Sequence, residues 1–277
     1  MWTTRTIIHP IKYRTWNVTY DNFSTKQMCK SYSSNTIIDS QLNHFNQLHK
    51  QWWDEKGGLM ALHAMNDLRI PFVRDGLVNS GVIQKDLSST QGSLSNIKIL
   101  DVGCGGGILT EALMRSGCLV TGIDPAQELI DVAKYHNKAN NINYYPLTIE
   151  KFSEENVEKF DAVITSQVIE HICELEVFLE SCVKCLKQGG SMFVTTINQT
   201  VLAWLYFIVL GEKIVKKVPP GTHEYNNLVA LQRLQRIIEN NNCTVQTVRG
   251  MMFNFLNDRW FFTKSTAVHY GVHAIKN

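Results

Sequence analysis

Two clusters of residues could do chemistry. The first is the run Asp101-Val102-Gly103-Cys104-Gly105-Gly106-Gly107, which joins an apolar, β-branched stretch over 97–102 to a helical pattern through Leu109, Ala112, Leu113 and Ser116. That order predicts strand, turn, helix. A turn without side chains lets a ligand approach the backbone, and the first N–H groups of the following helix point outward toward it. Ile108 stands where a dinucleotide fingerprint needs its third glycine, which leaves NAD-linked oxidoreduction a distant alternative. Asp124 lies 23 residues after Asp101, at the end of the next strand pattern, where a carboxylate can accept both hydroxyls of a ribose. Adenosine is implied and phosphate is not. Any one of these glycines could serve an ordinary tight turn, and Asp124 could cap a helix; together the set describes a cofactor cradle.

The second cluster is Ser166, Gln167, Glu170 and His171, which follows a strand pattern over 160–165. Ligands of open α/β sheets lie beyond the carboxyl ends of the strands. If a helix begins here, positions 167, 170 and 171 share one face through spacings of three and four. An imidazole at 171 could accept a proton as general base. The plainer alternative is that Glu170 and His171 form a capping and packing pair.

The elements that must position these clusters follow from periodicity. Strands are expected over 118–123, 141–145 and 191–196, with two final strands over 245–248 and 267–275. Helices are expected over 37–54, 65–79 (interrupted or started near Pro71), 126–139 and 228–239, and a further one runs from Leu175 to Leu186, ended by Gly189-Gly190. The Ser-rich stretch 87–96 reads as a loop. Strands separated by helices need crossovers, so the sheet should be mostly parallel with helices on both faces. A chain of 277 residues can bury one large core. Its 44% apolar and 19% charged composition is that of a globular protein, and a formal charge of +2 argues against a nucleic-acid partner. The seven cysteines are scattered, which suggests reduced thiols in an intracellular compartment. Cys182 and Cys185 form a lone CxxC better suited to helix packing than to zinc.

With those residues in view, the chain resembles the class I S-adenosylmethionine-dependent methyltransferases, through Leu100 to Gly107 and the acid Asp124. The segments Trp52-Trp53-Asp54, Leu62 to Arg69, Val168-Ile-Glu170-His171 and Pro220-Gly-Thr-His223 narrow the resemblance to the ubiquinone-biosynthesis O-methyltransferases, from about Ile37 to the C-terminus. The resemblance implies a Rossmann-like α/β sheet, mostly parallel with an antiparallel last strand and helices on both faces. It implies S-adenosyl-L-methionine held at Arg69, Gly103, Asp124 and Ser166, with Arg69 meeting the methionine carboxylate, a pairing that guanidinium geometry favours.

The implied reaction is O-methylation of polyprenylated dihydroxybenzoate and of demethylubiquinol. A phenol of pKa about 10 must lose its proton near neutrality, and a divalent cation chelating both catechol oxygens can supply that acidity. The related family holds magnesium with Glu-x-x-Glu-His; here Gln167, Glu170 and His171 occupy those positions, and the missing charge at Gln167 predicts weaker magnesium binding.

Three further expectations complete the sequence reading. Residues 1–35, with Asp21 the first acid after Arg5, Lys12 and Arg14, have the composition of a mitochondrial transit peptide, leaving 36–277 as the methyltransferase domain. The ten-residue apolar run 201–210 is too short to span a bilayer. With Lys213, Lys216 and Lys217 behind it, the 200–222 insert suits peripheral contact with an anionic membrane, on the matrix side of the mitochondrial inner membrane, or a substrate lid, or simply a buried helix. Partners would be the polyprenylated catechol and other ubiquinone-biosynthesis enzymes in a complex. The rival readings are a catalytically weakened structural subunit of that complex and a methyltransferase acting on another substrate.

Overall fold

The computed structural model describes residues 52–83, 94–137, 142–206 and 227–277. The expected transit segment, nearly all of the leading helix over 37–54, most of the loop over 87–96, the lysines of the insert and the Pro220 to His223 motif lie outside the described residues.

Eight strands form one sheet in the order β3-β2-β1-β4-β5-β8-β6-β7, with β1 Lys98–Val102, β2 Leu119–Ile123, β3 Asn143–Tyr145, β4 Phe160–Ser166, β5 Leu186–Ile197, β6 Cys243–Asn254, β7 Arg259–Thr263 and β8 His269–Lys276. The first five are parallel to one another, while β8 pairs antiparallel with β5, β6 with β8, and β7 with β6. The helices are α1 Met60–Ala64, α2 Asn66–Asn79, α3 Ile108–Arg115, α4 Gln127–His136, α5 Ile149–Glu155, α6 Leu175–Cys185, the single turn α7 Val201–Ala203, and α8 Leu231–Asn240.

Strand residues alternate between two cores, as a period of two requires. Leu100, Val163, Met192 and Val194 face the layer of Ile149, Phe178, Leu179 and Leu234 from α5, α6 and α8. Ile99, Ala162, Ile164 and Phe193 face the layer of Phe72, Val73, Leu77 and Leu113 from α2 and α3. Each such buried side chain contributes about 2 kcal/mol from apolar surface removed from water. Helices therefore cover both faces, as expected.

Several boundaries differ from the sequence reading. Three strands close the sheet where two were expected, all of them antiparallel, the addition being β7: Asn254 to Arg259 turns the chain back so that Phe253 pairs with Trp260. Helix α2 runs through Pro71, held by the burial of Leu68, Phe72, Val73 and Leu77 on the core. Gly189-Gly190 does not end a helix, since β5 starts directly after Cys185. The glycines sit instead where the pairing of β5 with β4 skips from Leu186 to Ser191. Helix α5 was missed because only Ile149 and Phe152 carry its apolar spacing. The CxxC pair is buried in α6, as packing residues would be.

Candidate active site

One cavity opens at the carboxyl edge of the parallel strands, and both clusters contribute to it. The glycine run turns sharply after β1, with Gly103 and Cys104 N–H both donating to the Ile123 carbonyl at 2.8 and 3.0 Å. Gly103 has φ +73° and Gly105 φ +53°, the left-handed region that side chains strain. The space is equally restrictive: a Cβ would lie 2.4 Å from Val168 at Gly103 and 2.3 Å from Trp52 at Gly105. The turn is therefore bare backbone covered by the Trp52 indole.

Asp124, at the end of β2, bonds the backbone on two sides and reaches the cavity. One oxygen accepts the Gly105 N–H at 3.0 Å and the other the Ala126 N–H at 2.9 Å, tying the glycine turn to the start of α4. The carboxylate also lines the cavity. Burial pushes it up to about 6, against the pull of those two N–H groups. Asp101 is likewise raised to about 6 by burial, and it accepts the Thr110 hydroxyl at 2.6 Å.

Arg69 reaches the cavity from α2. Its guanidinium donates to Ser166 Oγ at 3.0 Å and to the Leu62 carbonyl at 2.9 Å, while the buried Nε has no acceptor among the described residues. Burial lowers it to about 10, opposed by Asp101, so it stays charged at neutrality. Thr148 Oγ1, also buried on the cavity wall, lacks a partner among the described residues. A bare backbone turn, a largely buried carboxylate and two buried polar atoms without partners among the described residues fit S-adenosylmethionine, which offers a ribose, an adenine and a charged amino-acid end. The structure thus brings Arg69, Gly103, Asp124 and Ser166 onto one cavity.

The second cluster departs from expectation. Gln167 has φ +59°, and only a three-residue 3-10 turn, Ile169–His171, follows. Within the turn Glu170 and His171 point about 120° apart, and Gln167 lies outside it on a left-handed backbone, so the three do not share one helical face. His171 lines the cavity. Glu170 turns inward, where Oε2 accepts the Thr196 hydroxyl at 2.7 Å. The Gln167 amide lies 3.2 Å from Thr195 Oγ1 on one side and 3.0 Å from His269 Nε2 on the other. Thr195 Oγ1 in turn lies 2.8 Å from Ser166 Oγ. A hydrogen-bonded chain therefore runs from Arg69 through Ser166, Thr195 and Gln167 to His269.

The three donors are not gathered on the cavity: Glu170, bonded to Thr196, is absent from its lining, and the Gln167 amide is engaged by Thr195 and His269. Among the described residues no three His, Cys, Asp or Glu side chains gather as a metal site. Sequence reasoning missed His269 and Trp260, which also line the cavity. His269 stands 102 residues from Gln167 and arrives through the antiparallel pairing of Ile197 with His269; no local spacing could have signalled it.

A family profile described as a methyltransferase domain matches residues 100–194. Among solved structures, a magnesium protoporphyrin IX methyltransferase from Synechocystis with bound SAH is similar at TM-score 0.53 and 16% identity, over 79% of this chain and 84% of that one. That likeness supports the fold alone. The mitochondrial ubiquinone biosynthesis O-methyltransferase of Rattus norvegicus is 42% identical over 89% of this chain and 72% of its own length. That of Homo sapiens is 41% identical over 96% and 76%, and the ubiquinone biosynthesis O-methyltransferase of Pelagibacter ubique 35% over 88% and 100%. Likeness of that degree over nearly the whole chain, joined to the sheet order and the bare glycine turn beside Asp124, leaves one conclusion: this chain belongs to the ubiquinone biosynthesis O-methyltransferases.

Proposed function

We propose that this protein transfers a methyl group from S-adenosylmethionine to a phenolic oxygen of polyprenylated ubiquinone precursors, 3,4-dihydroxy-5-polyprenylbenzoate and demethylubiquinol. The observation that carries the donor is the cavity at the glycine turn, where Asp124 and an Arg69 Nε without an acceptor among the described residues meet bare backbone. The names of the relatives carry the acceptor.

In this reading Arg69 holds the methionine carboxylate, Asp124 accepts from the ribose hydroxyls, and Gly103 and Ser166 shape the turn around the amino-acid end. Bound S-adenosylmethionine supplies an electrophilic methyl on sulfonium. His171, on the cavity wall, takes the phenolic proton as the oxygen–carbon bond forms and the carbon–sulfur bond breaks. Glu170, buried behind His171 and held by Thr196, is a positioning residue for that turn.

The test is incubation of purified protein with labelled S-adenosylmethionine and a short-chain dihydroxybenzoate analogue, with and without magnesium, followed by identification of the methylated atom. Methyl on a ring oxygen supports the reading. Tight cofactor binding without turnover supports the rival, a structural subunit of a ubiquinone-synthesis complex, which the inward-facing Glu170 favours.

A mitochondrial address, peripheral on the matrix side of the inner membrane, is inferred from the acid-poor composition of 1–35 and the mitochondrial relatives. Among the described residues no helix is long and apolar enough to cross a membrane. Val201, Leu202 and Leu205 are 65%, 52% and 47% exposed at the start of the insert, an apolar edge suited to a lipid surface that presents a polyprenyl tail. Trp204→Ser is expected to reduce partition onto anionic vesicles while leaving cofactor affinity unchanged; unaltered partition would count against membrane contact. Other ubiquinone-biosynthesis enzymes are the expected protein partners.

A further inference from the structure

Trp52 lies on the wall of the cavity, 5% exposed. Its ring packs directly on the glycine turn, so that a Cβ on Gly106 would sit 2.3 Å from Cδ1 and 2.7 Å from Nε1. Ile108, Ala126 and Leu129 complete its apolar surroundings. Its indole N–H is buried and has no acceptor among the described residues.

The ring is held on both sides. The Trp52 carbonyl lies 2.9 Å from His63 Nε2. The neighbouring Trp53 donates from Nε1 to the Gly106 carbonyl at 3.0 Å and stacks on His136 with centroids 3.5 Å apart and planes 5° from parallel. His136 Nδ1 is in turn 2.7 Å from Glu111 Oε1. The segment before α1 is thereby strapped across the turn, and Trp52 is fixed with a buried donor unspent. An N–H kept from water and without a partner among the described residues is unfavourable, and because Trp52 belongs to the cavity wall, a bound ligand that shifts the ring slightly can supply the acceptor.

We propose that Trp52 is a cofactor-positioning residue, its indole N–H donating to an oxygen of the adenosyl ligand, either the amino-acid carboxylate or a ribose hydroxyl. This rests on the reading of the cavity as the S-adenosylmethionine site. It adds to Arg69 and Asp124 a third polar contact, supplied by a part of the chain that precedes the sheet. It also gives the paired tryptophans separate tasks, Trp53 anchoring the strap and Trp52 meeting the ligand.

The experiment uses the full chain with S-adenosylhomocysteine as probe. In native protein with 15N-labelled tryptophan, the Trp52 indole resonance, assigned through its contacts to Ile108 and Leu129 methyls, is expected to move downfield on saturation. Trp52→Phe keeps an aromatic ring and removes the N–H, and is expected to bind about 10-fold more weakly by calorimetry. An indole resonance that stays in place when the probe saturates the native protein overturns the proposal. So does unchanged affinity in Trp52→Phe. If that variant does not fold, the resonance in native protein decides alone. Probing with 5′-methylthioadenosine, which lacks the amino-acid end, separates the two acceptors: a retained shift assigns the ribose, and a shift seen only with S-adenosylhomocysteine assigns the carboxylate. Should the native protein fail to bind S-adenosylhomocysteine at all, the cofactor reading falls and this inference falls with it; binding without a shift removes the inference alone.

Discussion

The two ends of the cavity are built on opposite terms. Around the glycine turn, Arg69 Nε, Trp52 Nε1 and Thr148 Oγ1 are buried with no partner among the described residues. Between β4 and β8 the polar side chains are bonded to one another: Ser166 to Thr195, Gln167 to Thr195 and His269, Glu170 to Thr196. The first end is preorganised for a ligand, so binding there completes hydrogen bonds that the fold leaves open. At the second, where side chains bond one another, an acceptor molecule must displace some of those hydrogen bonds to make its own, and an exchange of that kind yields selectivity more readily than affinity.

The sharpest way to break this contrast is at Asp124. Asp124→Asn removes the charge from a carboxylate that accepts the Gly105 and Ala126 N–H groups, and a charge-assisted hydrogen bond is worth about 1.5–3 kcal/mol. We expect about 100-fold weaker S-adenosylhomocysteine binding by calorimetry. Affinity within threefold of native would show that the glycine end does not grip the ligand.

Gly105→Ala attacks the same end through shape. A Cβ there combines φ +53° with an approach of 2.3 Å to Trp52, and strain of this type costs about 1–3 kcal/mol. The melting temperature of the ligand-free protein should drop by several degrees, and an unchanged melt would remove the steric account of the turn.

Protonation sharpens the comparison further. Asp124 is raised to about 6 by burial, and ribose hydroxyls need its ionised form as acceptor. Cofactor affinity should therefore fall as pH drops below about 6, approaching tenfold per unit, with proton release on binding near pH 6 visible as buffer-dependent enthalpy. Without ligand the sign reverses for stability. Between about pH 4 and 6 the folded chain keeps protons on Asp101 and Asp124 that the unfolded chain has released. These two groups thus contribute stability at low pH that is lost as pH rises through about 6. A native protein and Asp124→Asn with identical pH dependence of melting would contradict this.

The smallest expected change in cofactor binding comes from the acceptor end. Gln167→Glu replaces an amide bonded to Thr195 and His269; S-adenosylhomocysteine affinity should stay within about twofold while turnover, and its response to added magnesium, changes. A large loss of cofactor affinity would mean that the chain of hydrogen bonds from Arg69 to His269 makes the two ends one unit.

The cofactor end was legible in the sequence because its chemistry is local. A strand, a run of side-chain-free residues and an acid after the next strand lie within 27 consecutive residues, 98–124, and the strand-turn-helix rule puts them at one sheet edge without further help. Arg69 and Ser166 came from resemblance, and the fold brings them within hydrogen-bonding distance. The acceptor end was legible only as a group of residue types. Their common face was conditional on a helix at 167; the chain instead has a left-handed Gln167 followed by a short 3-10 turn, with Glu170 bonded to Thr196 and His171 on the cavity wall.

The parallel core, its two apolar faces and the cofactor turn were readable from order along the chain, since alternation, helical spacing and missing side chains are properties of neighbours. Which groups meet beyond that turn depends on how the elements pack. Trp52 reaches Gly105 from before the sheet, and His269 reaches Gln167 by a strand that returns antiparallel. Such contacts are set by strand order and register, and a hydrogen bond across 102 residues depends on packing energies that no short stretch of sequence contains.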